Sequence, residues 1–206
     1  MEFQAALEKN FKFKYRPDRR NLPIVTILRR SRRHGEVAGV IGLAEMMRDM
    51  EFQVGVEIGT YLGDSASIWC KTNPNLNLTC VDPYAPYTGR RSTSTQESIY
   101  QAACEALKPY RATIMRVASM EAVPTFADDS LDFVFIDGDH LFDPCMMDLI
   151  CWVPKVRKGG MVLLHDYTVM QGPGVIKAVD AYTHCHSISP WYATMDYTPT
   201  VFWEQI

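Results

Sequence analysis

Long apolar runs are missing from this chain of 206 residues. The longest are strand-sized, far below the roughly 18 consecutive apolar residues that a membrane-spanning helix needs. Residues 1–16 also lack the apolar core of a secretory leader, so the expectation is a cytoplasmic protein with no membrane partner. Paired cysteines are absent as well. Cys70, Cys80, Cys104, Cys145, Cys151 and Cys185 are scattered, mostly inside apolar segments and with no CxxC pair, which favours reduced, buried thiols. No internal repeat and no low-complexity linker interrupts the chain. What remains is a composition of 47% hydrophobic and 22% charged residues, suited to one globular domain with at most an appendage.

Charge is spread unevenly. Residues 1–34 hold ten Lys/Arg against three Asp/Glu, so the net charge of −3 hides a basic N-terminal arm on an acidic body, residues 35–206. Arg19-Arg20 and the run Arg29-Arg30-Ser31-Arg32-Arg33 are candidates to contact phosphate groups of a nucleic acid or a phosphorylated substrate. No aromatic residue interleaves the second run as a single-strand platform requires. The favoured readings are therefore an arm docked on its own body, docked on a second subunit as a homodimer, or solvated.

Beyond the arm, helical and strand patterns alternate. Residues 36–50 place Val37, Val40, Ile41, Leu43, Ala44 and Met47 on one side, a helical spacing. Strands are expected over 53–58, 78–81, 113–117, 131–136 and 161–164, with helices over 65–72 and 94–107. A further helix follows residue 142, with Asp143 as its cap and Pro144 at its first position. Lys158-Gly159-Gly160 is expected to stop that helical region. Strands alternating with helices imply a parallel sheet covered on both faces. The tail differs: after a helix over 175–184, two short apolar pieces, 191–195 and 200–203, are separated by a turn too short for a helical crossover. The expected fold is α/β, a doubly wound Rossmann-like sheet of about seven strands, mostly parallel, with a C-terminal antiparallel hairpin.

In such a sheet, ligands collect at the carboxyl ends of the strands, where the strand order reverses. Those ends carry the polar residues here: Glu57 and Gly59, then Asp82, Ser119, the run Asp137-Gly138-Asp139-His140, and His165-Asp166. Gly59 allows a sharp turn and a close backbone approach, Gly63 lets the next helix start near the strand, and the first N–H groups of that helix attract polar ligand groups. Asp82 follows Gly59 by roughly the spacing at which a second strand offers a carboxylate to a ribose. A dinucleotide site calls for GxGxxG, whereas these glycines stand four apart.

These segments resemble the class I S-adenosylmethionine-dependent methyltransferases, specifically the small O-methyltransferase-like group of the family 24 type. The resemblance rests on Glu57-Ile58-Gly59-Thr60-Tyr61-Leu62-Gly63-Asp64-Ser65-Ala66, similar to that group's EIGxYxGxSA turn. It continues through Val81-Asp82-Pro83-Tyr84 and Ile136-Asp137-Gly138-Asp139-His140 to the segment from Lys158 to Asp166. It covers about residues 35–190. It implies S-adenosyl-L-methionine as cofactor, with Glu57, Gly59, Thr60 and Tyr61 at its methionine end in the turn that Gly63 and Ser65 complete. Asp82 then takes the ribose, Ser119 the adenine, and Met120 forms an apolar wall. Asp137 stands beside Gly59, against the cofactor, placed to bind a metal or orient the acceptor.

In metal-dependent members of the group, positions like Asp137 and the pair like His165-Asp166 bind a divalent cation such as Mg²⁺ or Mn²⁺, which lowers the pKa of a coordinated hydroxyl. Histidine in that pair departs from the commoner Asp-Asn or Asp-Asp. Either Asp166 binds with Asp137 alone while His165 bonds a neighbouring loop, or the ion is softer. His140, with an intrinsic pKa near neutrality, is the candidate base. Asp139 competes for that role, or orients His140, or caps the next helix. His184-Cys185-His186 is expected at the surface, because consecutive residues point in different directions. Residues 84–97 form a candidate lid in which Arg90 and Arg91 could hold an anionic substrate. The implied activity is O-methylation of a small hydroxylated metabolite, a sugar or an aromatic compound, with or without metal assistance. The competing reading is a cofactor-binding or nucleic-acid-associated module that uses the basic arm.

Overall fold

The structure is a computed structural model and describes residues 1–15, 23–27, 38–86 and 93–206. Among these, nine strands form one sheet: β1 (Phe11–Tyr15), β2 (Pro23–Ile27), β3 (Val54–Ile58), β4 (Asn77–Val81), β5 (Ala112–Met115), β6 (Leu131–Ile136), β7 (Val156–Leu164), β8 (Tyr192–Thr194) and β9 (Val201–Glu204). Their order is β1-β2-β8-β9-β7-β6-β3-β4-β5. The seven strands β3 to β9 match the expected sheet. The pairs β3/β4, β4/β5, β3/β6 and β6/β7 are parallel, and β9 runs antiparallel to both β7 and β8.

The helices are α1 (Phe3–Asn10), α2 (Ala38–Asp49), α3 (Asp64–Thr72), α4 (Thr93–Leu107), α5 (Ser119–Ala122), α6 (Phe142–Trp152) and α7 (Gly174–Cys185). Side chains alternate across the pleat, so each central strand feeds two cores. Phe133 and Phe135 of β6, with Met161 and Leu163 of β7, pack with residues of α1, α2 and α3. Val134, Ile136, Val162 and Leu164 face the other way, onto Leu149 and Trp152 of α6 and Val179 of α7. A sheet wound on both faces is the result. No helix among the described residues is long and apolar enough to cross a membrane.

The N-terminal segment adds two strands. β1 and β2 pair antiparallel, and β2 joins β8 in parallel. Phe3, Ala6, Leu7 and Phe11 are buried in the same core as α2 and α3. Lys9 and Asn10 reach Asp49 of α2 at 2.8 and 2.9 Å, so this part of the segment docks on the chain's own body. Arg19-Arg20, the Arg29–Arg33 run, Glu36, Val37 and Arg90-Arg91 lie outside the described residues.

Two local expectations are corrected. Lys158-Gly159-Gly160 lies within β7. A Cβ on Gly160 would sit 2.5 Å from the carbonyl oxygen of Asp132, so glycine admits a close approach where the β6/β7 register shifts. In α6, Leu141 is the N-cap and Asp143 falls in the first turn with no side-chain cap bond; there its charge complements the helix dipole instead. All six cysteines are free, with Cys70, Cys80 and Cys145 buried and Cys185 exposed. His184 and His186 are exposed, as expected.

Candidate active site

The chain leaves β3, builds β4 and β5 on one side, and returns to place β6 on the other. That reversal opens a crevice at the carboxyl ends of β3 and β6. The ladder carries on into the loops: Gly59 N–H donates to Val81 at 2.9 Å, Asp137 N–H to Ile58 at 2.8 Å, and His165 N–H to Ile136 at 3.0 Å. Gly59, Asp137 and His165 are thereby held side by side by backbone bonds.

A cavity of about 1200 Å³ lies over this row, and Gly59, Thr60, Tyr61, Ser65, Asp82, Ser119, Met120, Asp137, Asp139, His140, His165 and Asp166 all contribute to its wall. Twelve of the fourteen site residues expected from the sequence therefore meet in one space. Glu57 and Gly63 are the exceptions. Glu57 points to the α3 side of β3 and is fully buried, accepting the Ser65 hydroxyl at 3.0 Å and the Trp69 indole N–H at 2.8 Å. Burial, with Asp137 and Asp82 nearby, pushes its carboxyl up to about 8 against those two bonds. Its place is beneath the turn, tying β3 to the first turn of α3. Gly63 is the N-cap of α3 at φ +81, a left-handed conformation suited to glycine.

Asp82 organises the turn from the neighbouring strand. Its Oδ2 accepts the N–H groups of Thr60 and Tyr61 at 3.1 and 3.0 Å, and its Oδ1 accepts Tyr84 N–H at 2.8 Å. Tyr61, Tyr84 and Asp166 have φ of +50, +46 and +57. Non-glycine residues adopt such angles uncommonly, and three beside one cavity mark a place where the fold holds the backbone against local preference.

At the β6 and β7 ends, two carboxylates and two imidazoles converge. His140 Nε2 lies 3.0 Å from Asp166 Oδ2 and 3.7 Å from Asp137 Oδ1. His165 Nδ1 lies 3.4 Å from both Asp137 Oδ1 and Asp166 Oδ1. Asp137, His140 and Asp166 offer ligand atoms within 4.8 Å of one another. Of the expected set Asp137, His165 and Asp166, the two acids fall in this group, while His140 takes the third place in it and His165 stands beside the acids. His140 Nε2 and His165 Nδ1 are buried yet complete no directed hydrogen bond, so both rings aim at the centre of the cluster. This donor set fits a divalent ion of the softer kind. His165 Nε2 meets Thr198 Oγ1 at 3.3 Å, the sort of outer contact that leaves the other ring nitrogen for a ligand.

The carboxylates control the imidazoles. Asp137 and then Asp166 push His140 up to about 10, away from the near-neutral value expected of a base. Burial alone would depress His165, but Asp137 outweighs it and raises that group too. Asp139 makes a different bond: its Oδ1 accepts Leu141 N–H at 2.8 Å, a local turn bond just ahead of α6, whose N-cap is Leu141.

Sequence reasoning passed over Thr198 and Asp148, both on the cavity wall. Thr198 belongs to the turn between β8 and β9, anchored where Gly39 N–H donates to Asp196 Oδ1 at 3.2 Å. Asp148, on α6, accepts the Ser119 hydroxyl.

A family model described as a methyltransferase domain matches residues 56–167. Over 129 residues the chain is 27% identical to uncharacterized protein R132 of Acanthamoeba polyphaga mimivirus, across 61% of this chain and 57% of that one. The match therefore spans little more than half of that curated relative. Among solved structures, the fold is similar to cofactor-bound Rv0187 from MTB, with a TM-score of 0.62 and 14% identity over 85% of this chain and 83% of that one. It is also similar to the O-methyltransferase TomG from Streptomyces achromogenes, which is involved in tomaymycin synthesis and was solved with SAM. That likeness has a TM-score of 0.59 and 16% identity over 79% of this chain and 77% of that one.

Proposed function

The chain belongs to the methyltransferase-domain family, as a class I member of the family 24 type, and from that premise we propose that it moves a methyl group from S-adenosyl-L-methionine to a hydroxyl of a small acceptor, a sugar or an aromatic compound. One observation carries the reading: the Gly59 turn, Asp82 and the cluster of Asp137, His140 and Asp166 share a single cavity of about 1200 Å³. Pockets for one small ligand run to about 1,000 Å³, so this one has room for a donor and an acceptor together.

Methyl transfer from a sulfonium is an in-line displacement, which requires the acceptor oxygen to be held against the methyl group and relieved of its proton. The turn over Thr60 and Tyr61, fixed by Asp82, orients the donor, and Asp137, in the cluster beside it, serves the acceptor side. Asp137, Asp166 and His165 would hold a divalent ion, with His140 as a further ligand or as the proton acceptor. Such an ion would lower the pKa of an acceptor hydroxyl. Without it, the two carboxylates keep His140 protonated, in the wrong state to act as a base.

Calorimetry with S-adenosyl-L-homocysteine tests the donor half of this reading, and absence of binding overturns it. Methyl incorporation from labelled donor into a panel of hydroxylated sugars and aromatics, with Mn²⁺ or with a chelator, tests the acceptor half and the metal.

A further inference from the structure

Ser119 cannot serve a ligand as a hydrogen-bond donor. Its only hydroxyl proton goes to Asp148 Oδ1, and its oxygen accepts the Trp152 indole N–H at 2.8 Å. The group left facing the cavity is the other oxygen of Asp148. Asp148 is 5% exposed and still forms part of the cavity wall. Its Oδ2 lies 3.7 Å from where a Cβ on Gly138 would stand, so the bare glycine leaves that oxygen uncovered. Around it the wall is formed by Ala118, Met120, Pro144 and Met147. Met120 and Met147 are 37% and 47% exposed, and thioether side chains adapt well to a flat ring.

Asp139 and Asp143 also line the cavity, and Asp139 is close enough to act on the Asp148 carboxyl. Apolar side chains beside acidic oxygens complement an aromatic heterocycle with an exocyclic amino group. The ring faces meet the methionines and one N–H meets Oδ2. A carbonyl at that position would set acceptor against acceptor, and a buried polar group left unpaired discriminates strongly. The geometry points to Asp148 as the residue that selects adenine in the methyl donor, against a donor whose purine carries a 6-oxo group. The inference rests on the methyl-donor reading above. Ser119 is then a positioning residue that locks the Asp148 carboxyl, with Trp152 behind it.

Burial pushes the Asp148 carboxyl up to about 6, so the test is made at pH 8, where it is ionised. Calorimetry compares S-adenosyl-L-homocysteine with its 6-oxo counterpart, S-inosyl-L-homocysteine. The wild-type chain is expected to favour the adenine ligand by about 30-fold or more, the range of a hydrogen bond to a charged group. Asp148→Asn still accepts the Ser119 proton but turns a donor toward the cavity, so the preference is expected to fall to within about threefold or to reverse. Ser119→Ala keeps the charge but unlocks the carboxyl, so the preference is expected to fall between those of wild type and Asp148→Asn. A merely structural Asp148 would weaken both ligands alike. Equal binding of both ligands by the wild-type chain, or an unchanged ratio in a folded Asp148→Asn, overturns the inference while the donor reading stands. No binding of S-adenosyl-L-homocysteine to the wild-type chain overturns both. If Asp148→Asn does not fold, the wild-type ratio alone decides.

Discussion

Gly59 and Asp137 meet across the β3/β6 junction so closely that a Cβ on Gly59 would stand 2.1 Å from the Asp137 carbonyl oxygen. The contact joins the donor turn to the cluster of acids and imidazoles, so the two halves of the site cannot shift independently. Gly59 also holds φ +83, which disfavours any L side chain. Gly59→Ala is expected to destabilise the fold by about 2 kcal/mol or more, from strain and overpacking, and to weaken S-adenosyl-L-homocysteine binding at least about tenfold. Gly138→Ala is the control one strand-end away: its Cβ would meet nothing closer than 3.6 Å, and a cost below about 1 kcal/mol is expected. Thermal melts on the two variants check the contrast in stability, and calorimetry on Gly59→Ala checks the loss of binding.

Asp82 is expected to matter through the backbone as much as through direct contact. Asp82→Ala removes the acceptor for Thr60, Tyr61 and Tyr84 at once. Charge-assisted bonds of this kind contribute roughly 1.5 to 3 kcal/mol each. Donor affinity is expected to drop about 100-fold or more, with faster amide exchange at Thr60 and Tyr61. Asp82→Asn keeps one acceptor oxygen and should fall between. An alanine variant with unchanged exchange at those amides would remove Asp82 from this role.

Much of this arrangement was legible in the residues themselves. The run Leu131-Asp132-Phe133-Val134-Phe135-Ile136 carries so many buried apolar groups that it reads as a central strand, and Asp137 to His140 follow at its carboxyl end. What was missed depended on contacts distant in sequence. Thr198 reaches His165 only because β9 folds back antiparallel on β7. Asp148 had a usable signal, since it sits three residues from Cys145 and four from Trp152 on the buried stripe of α6. An acid on an apolar stripe implies a partner. In the N-terminal segment, Phe11, Phe13 and Tyr15 alternate with Lys12 and Lys14, the period of a strand; the concentration of positive charge drew attention away from that alternation.

Divalent-ion binding is expected to raise the melting temperature, because an ion held by the folded cluster stabilises it by mass action. Removing either acid, as Asp137→Ala or Asp166→Ala, should abolish the shift with Mn²⁺. His165→Ala should weaken it by an amount set by one lost imidazole, on the order of tenfold in affinity. Mg²⁺ should act more weakly than Mn²⁺, since imidazole suits the softer ion. Scanning calorimetry with each ion and with chelator measures all four effects, and equal shifts in wild-type and Asp137→Ala would exclude this cluster as the binding place.

Glu57 sets a pH dependence opposite to that of a salt-bridged carboxylate. Its folded value is about 8 against 4.5 for the free side chain. Between those two values the unfolded chain has lost the proton while the folded chain still holds it. Stability is therefore fully present below about pH 4.5 and falls as pH rises toward 8, at up to about 1.4 kcal/mol per pH unit from this group. Above pH 8 both states are ionised and the loss levels off. Glu57→Gln mimics the neutral side chain and removes the titration. It also changes the pairing with Ser65 and Trp69, which costs about 1 to 3 kcal/mol if one donor is left unpaired. The variant should accordingly be less stable than wild type at pH 5, with the gap closing or reversing by pH 8.5. Urea titrations at several pH values read the two slopes, and parallel curves would mean that Glu57 is already ionised beneath the turn.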